Sequence, residues 1–185
     1  MIKCVLHEKD EIWRVEMNQS DLLRKARSYQ ISFSERKTVA KAVKTAFLCH
    51  SHQDVELVKG LIVWFQEEEI DLYIDWMDAT LPDTPSAETA KRLKEKIEFC
   101  NWFFFLATGN SVVSRWCPWE IGYADSSKKS VVIIPTYDSI GKYGNEYLEL
   151  YHRIDFGRSN FREGLALFEA GSKNGFSLVD HFGKM

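Results

Sequence analysis

Several familiar signatures are missing from this 185-residue chain. It has four cysteines, Cys4, Cys49, Cys100 and Cys117, and no two stand in a CxxC pair. That spacing excludes a disulfide framework and the common thiolate zinc sites. No apolar run approaches the length needed to cross a bilayer. The start of the chain, Met1 to Glu8, carries charge too early and too few apolar residues for a secretory signal. A reducing cytosol is the expected compartment, with no membrane contact. Neither GxGxxG nor GxxxxGK[ST] occurs, so a Rossmann pyrophosphate cradle and a P-loop are both excluded. No positive field covers the chain either. Its formal net charge is −3, which argues against nucleic acid as a partner.

What charge there is lies unevenly. From Asp21 to Lys44 the basic residues are Arg24, Lys25, Arg27, Arg36, Lys37, Lys41 and Lys44, against Asp21 and Glu35 alone. From Gly60 to Ala90 there is no Lys or Arg, while acidic residues recur from Glu67 to Glu88. These segments read as two solvated faces or as complementary contacts within or between subunits. Aromatic residues are abundant at 14%, with six Trp.

Hydrophobic periodicity divides the chain. A polar lead-in contains one expected helix, Asp21 to Gln30, and a second that Ser34 caps through Val39, Ala40 and Val43. From Thr45 the pattern alternates. Ala46 to Cys49, Leu72 to Ile74, Trp102 to Leu106 and Val131 to Ile134 are short apolar runs expected as buried strands. Between them lie stripes at helical spacing: Val55, Val58, Leu61, Ile62 and Phe65, then Ala87, Ala90, Leu93 and Ile97 behind a Thr84-Pro85 start, then a helix including Trp119 to Ala124. This alternation predicts an α/β fold, a parallel sheet with helices on both faces. Beyond Pro135, Tyr147 to Tyr151 suggest a helical turn, Ile154 to Phe156 an edge strand and Phe161 to Phe168 a short helix.

Ligands of open parallel sheets bind beyond the carboxyl ends of the strands. Here those segments are polar and aromatic: His50-Ser51-His52-Gln53-Asp54, Asp75-Trp76-Met77-Asp78, and Ala107 to Ser111 leading into a Trp-rich helix start. His50, His52 and Asp54 lack further partners at metal-ligand spacing. Ser51 has no GxSxG setting, and nothing near Cys117 in sequence resembles its base. Trp116, Glu120 and Tyr123 fall at spacings that share a helix face. A helical Glu is ordinarily a solvated residue. Trp116, Trp119 and Ile121 around Glu120 make full solvation unfavourable. Trp116 offers either a ring for the core or a flat face for a stacked base, the latter contributing roughly 1–3 kcal/mol.

The ordered set Ala46-Phe47-Leu48-Cys49-His50-Ser51-His52-Gln53-Asp54, Tyr73-Ile74-Asp75-Trp76 and Ser114-Arg115-Trp116-Cys117-Pro118-Trp119-Glu120 resembles the Toll/interleukin-1 receptor (TIR) domain family. The likeness is to its stand-alone bacterial branch, which includes NAD-processing proteins of anti-phage systems such as Thoeris. It covers residues 43–157, leaving residues 1–42 as a helical extension and 158–185 as a tail packing on the domain. The resemblance implies a flavodoxin-like three-layer fold with about five parallel strands. It also implies cleavage of the nicotinamide–ribose bond of NAD+, with NAD+ as substrate and neither cofactor nor metal. By matching position Glu120 is the catalytic glutamate and Trp116 the aromatic that contacts the dinucleotide. His50, Ser51, Asp75, Trp76, Asp78 and Tyr123 are the further NAD-binding candidates. Residues 76–85 correspond to the BB loop, through which subunits assemble into a homo-oligomer; they lack the proline-glycine tip of animal receptors. A downstream effector sensing the product is a further implied partner.

One carboxylate suffices for this chemistry. Glycosidases pair two because their leaving group needs a proton. Nicotinamide leaves a cationic pyridinium as a neutral molecule, so the remaining task is to stabilise an oxocarbenium-like ribose. Water as acceptor gives ADP-ribose, and an internal atom gives a cyclic product. The competing expectations are a non-catalytic TIR scaffold and, more remotely, a nucleoside deoxyribosyltransferase.

Overall fold

A computed structural model describes residues 12–29, 45–78, 86–127, 129–159 and 163–178. Four strands follow the sequence expectation closely: β2 (Thr45–Cys49), β3 (Asp71–Tyr73), β4 (Trp102–Leu106) and β5 (Ser130–Ile134). Between them run α2 (Val55–Glu67), α3 (Ala87–Phe99), the short α4 (Gly109–Val112) and α5 (Cys117–Ser126). Ahead of these lie β1 (Ile12–Val15) and α1 (Gln19–Ala26); after them come β6 (Thr136–Tyr137), β7 (Lys142–Tyr143), β8 (His152–Arg158), β9 (Glu163–Phe168) and β10 (Asn174–Ser177).

The class is α/β, and the sheet is larger and more mixed than expected. Its eight strands lie in the order β1-β10-β9-β8-β5-β4-β2-β3. Neighbours from β3 through β2, β4 and β5 to β8 pair in parallel. Past β8 every pairing is antiparallel, and β1 bonds both β10 and β8, so β8, β9, β10 and β1 close into a ring. Three expectations need correction. Residues 154–156 belong to a seven-residue strand lying between β5 and β9, not at an edge. Residues 163–168 form a strand rather than a helix, because a short apolar run takes its state from available partners, here β8 and β10. The third helix starts at Ala87, capped by Ser86, whose hydroxyl accepts the Thr89 amide at 3.1 Å. Thr84 and Pro85 lie outside the described residues, as does the helix expected from Ser34.

Strand alternation sorts the side chains into two cores. Ala46, Leu48, Phe104, Val132 and Ile134 face α2 with its Val58, Leu61 and Phe65, and Leu22 of α1 joins them. Phe47, Cys49, Phe103, Phe105, Val131 and Ile133 face the other way, against Leu93 and Ile97 of α3 and Ile121 and Ala124 of α5. Helices therefore cover both faces of the parallel part, as the all-apolar strands demanded. Among the described residues the basic and acidic segments meet at an ion pair: Lys25 Nζ meets Glu67 at 2.6 Å and lies 4.1 Å over the Trp64 ring.

Candidate functional site

In this strand order, β2 and β4 are neighbours whose following helices, α2 and α4–α5, serve different chain directions along the sheet. Their carboxyl ends mark the topological switch point, where ligands of such sheets bind. The loop after β2 begins with His50 and Ser51, both buried, and turns through a 3₁₀ segment, His52–Asp54. Ser51 opens that turn, its hydroxyl accepting the Gln53 amide at 3.4 Å. After β3, a second 3₁₀ turn, Asp75–Met77, carries Asp75 and the partly exposed Trp76.

Asp75 is the hub of these loops. Its Oδ2 meets His52 Nε2 at 2.8 Å, and its Oδ1 accepts the Trp76 amide at 2.7 Å. Burial by itself would raise the Asp75 carboxyl, but the opposing contributions, led by the His52 hydrogen bond, outweigh it and hold it below its ordinary value. The same bond raises His52. His50 is lowered, because burial disfavours its charged form more than Asp75 favours it.

Glu120 arrives on α5. The helix start is built locally: Ser114 Oγ accepts the Trp116 and Cys117 amides at 3.2 and 3.3 Å, and Pro118 in the first turn has no donor to satisfy. One turn on, the Glu120 amide donates to the Trp116 carbonyl at 2.9 Å. The Glu120 side chain turns inward and is only 5% exposed. Burial pushes its carboxyl well above the usual carboxylate range, and the nearby Cys117 and Asp75 add to the shift, against a contribution from the Cys49 thiol that lowers it. Cys49 and Cys117 are free and buried beside it. The Cys49 thiol points at the Cys117 carbonyl, 3.9 Å away, and burial pushes the thiol well above its ordinary value, disfavouring the thiolate.

The structure thus gathers His50, Ser51 and Asp75 at the ends of β2 and β3, and brings the end of β2 against the start of α5 through the Cys49 thiol and the Cys117 carbonyl. Two expected residues are engaged elsewhere. Tyr123 stacks on Trp119 at 6.0 Å, lies under Lys94 and gives its hydroxyl to Glu98 of α3. Asp78 accepts from the Tyr73 hydroxyl at 2.7 Å and pairs with Lys96 at 3.0 Å. Trp116 meets Trp119 edge-on at 5.3 Å. Sequence reasoning weighed His52 and Asp54 only as metal ligands and passed over Cys49. Asp54 is buried and accepts from Thr108 Oγ1 and Asn110 Nδ2, each at 2.6 Å, tying the loop after β2 to the loop after β4. Its place at the end of the polar run 50–54 was the available signal.

These features define an α/β protein whose polar site, with the buried carboxyl groups of Asp54 and Glu120, sits at the carboxyl edge of its parallel strands. The TIR-domain profile matches residues 46–167, and the chain belongs to the TIR-domain family. It is 38% identical over 111 residues to a Bacillus cereus (strain MSX-D12) protein given the inferred name 3′ cyclic ADP-D-ribose synthase ThsB′, a match covering 57% of each chain. It is 29% identical over 125 residues to a Cytobacillus dafuensis protein given the inferred name cyclic ADP-D-ribose synthase TIR2, covering 66% of this chain and 31% of that one. The matches therefore span less than two thirds of either relative. Among the described residues no helix is long and apolar enough to cross a membrane.

Proposed function

We propose that this protein cleaves the nicotinamide–ribose bond of NAD+ and releases nicotinamide with a cyclic or linear ADP-ribose product, in bacterial anti-phage defence. The observation that carries the reading is Glu120, buried one helical turn behind Trp116 at the switch-point edge. Two relatives named as cyclic ADP-D-ribose synthases support it.

The chemistry follows from charge. The glycosidic C–N bond breaks with its electron pair going to the pyridinium nitrogen, so nicotinamide departs neutral and positive charge builds on the ribose. An ionised Glu120 supplies the opposing charge and accepts hydrogen bonds from ribose hydroxyls. The resting Glu120 favours its neutral form, and the cationic substrate itself pulls it toward ionisation. Trp116 holds the reacting end in place by stacking once it turns from Trp119. An internal hydroxyl then bonds to the anomeric carbon and closes a ring, or water bonds there to give linear ADP-ribose, the attacking oxygen releasing its proton to solvent in either case. The homologue names favour ring closure.

Assembly of subunits through residues 76–85 belongs to the same proposal, as does an effector that senses the product. The buried Glu120 fits a resting protomer that gains activity on assembly. The test is mass analysis of products from NAD+ with assembled wild type beside Glu120→Ala. The expected result is nicotinamide and an ADP-ribose species from wild type alone, with the variant reduced by at least about 100-fold. NAD+ left intact by folded, assembled wild type overturns the reading.

A further inference from the structure

His50 is buried, and its ring presents two different nitrogens. Nδ1 lies 3.1 Å from the Leu48 carbonyl. A carbonyl oxygen only accepts, so Nδ1 carries the hydrogen, and in the neutral ring Nε2 carries a lone pair. Burial keeps the ring neutral despite the neighbouring carboxylate. Nε2 has no hydrogen-bond partner. It stands 3.6 Å from Asp75 Oδ1, which accepts the Trp76 amide at 2.7 Å and keeps acceptor capacity, while the other Asp75 oxygen is occupied by His52.

Two acceptors therefore face each other, one of them fully unpaired. Buried polar atoms without partners are uncommon and costly to leave so. A metal ion does not answer the need, since no group of three or more metal-ligating side chains converges among the described residues. An N–H or O–H donor does, because one donor reaches both atoms at ordinary hydrogen-bond lengths when they are 3.6 Å apart. Nε2 itself is covered, whereas the Asp75 side chain keeps 17% exposure, so the donor enters from the Asp75 side.

We propose that His50 Nε2 and Asp75 Oδ1 form an acceptor pair that reads a hydrogen-bond donor on the nicotinamide–ribose end of the dinucleotide, and so select substrates that carry it. This rests on the NAD+ reading above. His50 directly follows Cys49, whose thiol points at the Cys117 carbonyl at the start of the helix that carries Glu120, which assigns the pair to the reacting end rather than the adenine end. Two groups there supply such a donor, the carboxamide NH₂ and a ribose hydroxyl.

The experiment measures both turnover and equilibrium affinity of assembled wild type, His50→Ala and His50→Gln for three ligands. They are NAD+, its 3-acetylpyridine analogue, which lacks the amide N–H, and an analogue deoxygenated on the nicotinamide ribose. Wild type is expected to favour NAD+ over one of the two analogues by about tenfold or more, and the analogue rejected identifies the donor. His50→Ala levels that preference, chiefly through KM, and His50→Gln, which keeps an acceptor, restores part of it. Imidazole ¹⁵N shifts give a separate readout: His50 is expected as the Nδ1–H tautomer, with the Nε2 resonance moving on NAD+ binding. Folded His50→Ala with wild-type discrimination toward both analogues overturns the proposal, as does a His50 proton on Nε2. Discrimination in binding without any cleavage removes the enzymatic reading and leaves the acceptor pair standing. Absence of NAD+ binding removes both.

Discussion

The Thr108 hydroxyl donates to Asp54 Oδ2 at 2.6 Å while accepting the Ser111 amide at 3.0 Å, so one side chain caps α4 and ties it to the loop after β2. Asn110 fills the other Asp54 oxygen at 2.6 Å. Asp54 and Thr108 are buried and Asn110 is half-buried, and removing the acceptor leaves both donors without it. Asp54→Ala is expected to cost about 2–4 kcal/mol in urea unfolding, and Asn110→Ala about 1 kcal/mol. Equal effects of the two variants would show that Asp54 does not bridge the loops.

Gly60 decides how the lead-in meets the sheet. A Cβ there would lie 2.1 Å from the Leu22 carbonyl oxygen, because α1 crosses α2 at backbone contact. In a free helix Gly→Ala stabilises by up to about 1 kcal/mol. Here the clash reverses the sign, and Gly60→Ala is expected to destabilise by about 1–3 kcal/mol. A gain in thermal midpoint would mean that α1 is not seated on α2 in solution.

Legibility in the sequence tracked how local each determinant is. Trp102 to Leu106 could only be a strand covered on both faces, and all five residues are buried. Ile12–Val15 was not legible, since four mixed residues become a strand only through β8 and β10, far away in sequence. Within the site, Glu120 and Trp116 stood out because one turn of helix relates them. The same spacing argument put Tyr123 with them, but spacing says nothing of reach, and the Tyr123 hydroxyl extends to Glu98 on α3. Asp54 was hidden for a related reason, its partners lying 54 and 56 residues downstream.

Asp155 ties β8 to β1 through Arg14 at 2.6 Å, with its own side chain wholly buried. Burial raises its carboxyl to about 6 from an ordinary value of 3.8, against the pull of Arg14. The folded state then binds the proton more tightly than the unfolded chain. The contribution of Asp155 to stability is greatest below about pH 4 and declines as pH rises through about 6. The stability of wild type minus that of Asp155→Asn is therefore expected to shrink by roughly 2–3 kcal/mol between pH 4 and pH 7. Urea midpoints at the two pH values measure it, and a difference that grows with pH would refute the assignment.

Glu120 carries the same sign into catalysis. Its carboxyl titrates well above the ordinary 4.5 because it is buried, so ionising it in the resting protein costs stability as pH rises beyond the ordinary value. Glu120→Gln removes that charge, and is expected to raise the thermal midpoint at neutral pH while abolishing NAD+ cleavage. For wild type the ionised form is the active one, so kcat/KM climbs with pH, with its inflection above the normal carboxylate range. The bound pyridinium favours the anion, which moves the inflection of kcat to lower pH than that of kcat/KM. Paired pH profiles on the assembled protein decide the matter. An inflection of kcat/KM at the ordinary carboxylate value would show that Glu120 meets the substrate from water and not from the buried position seen here.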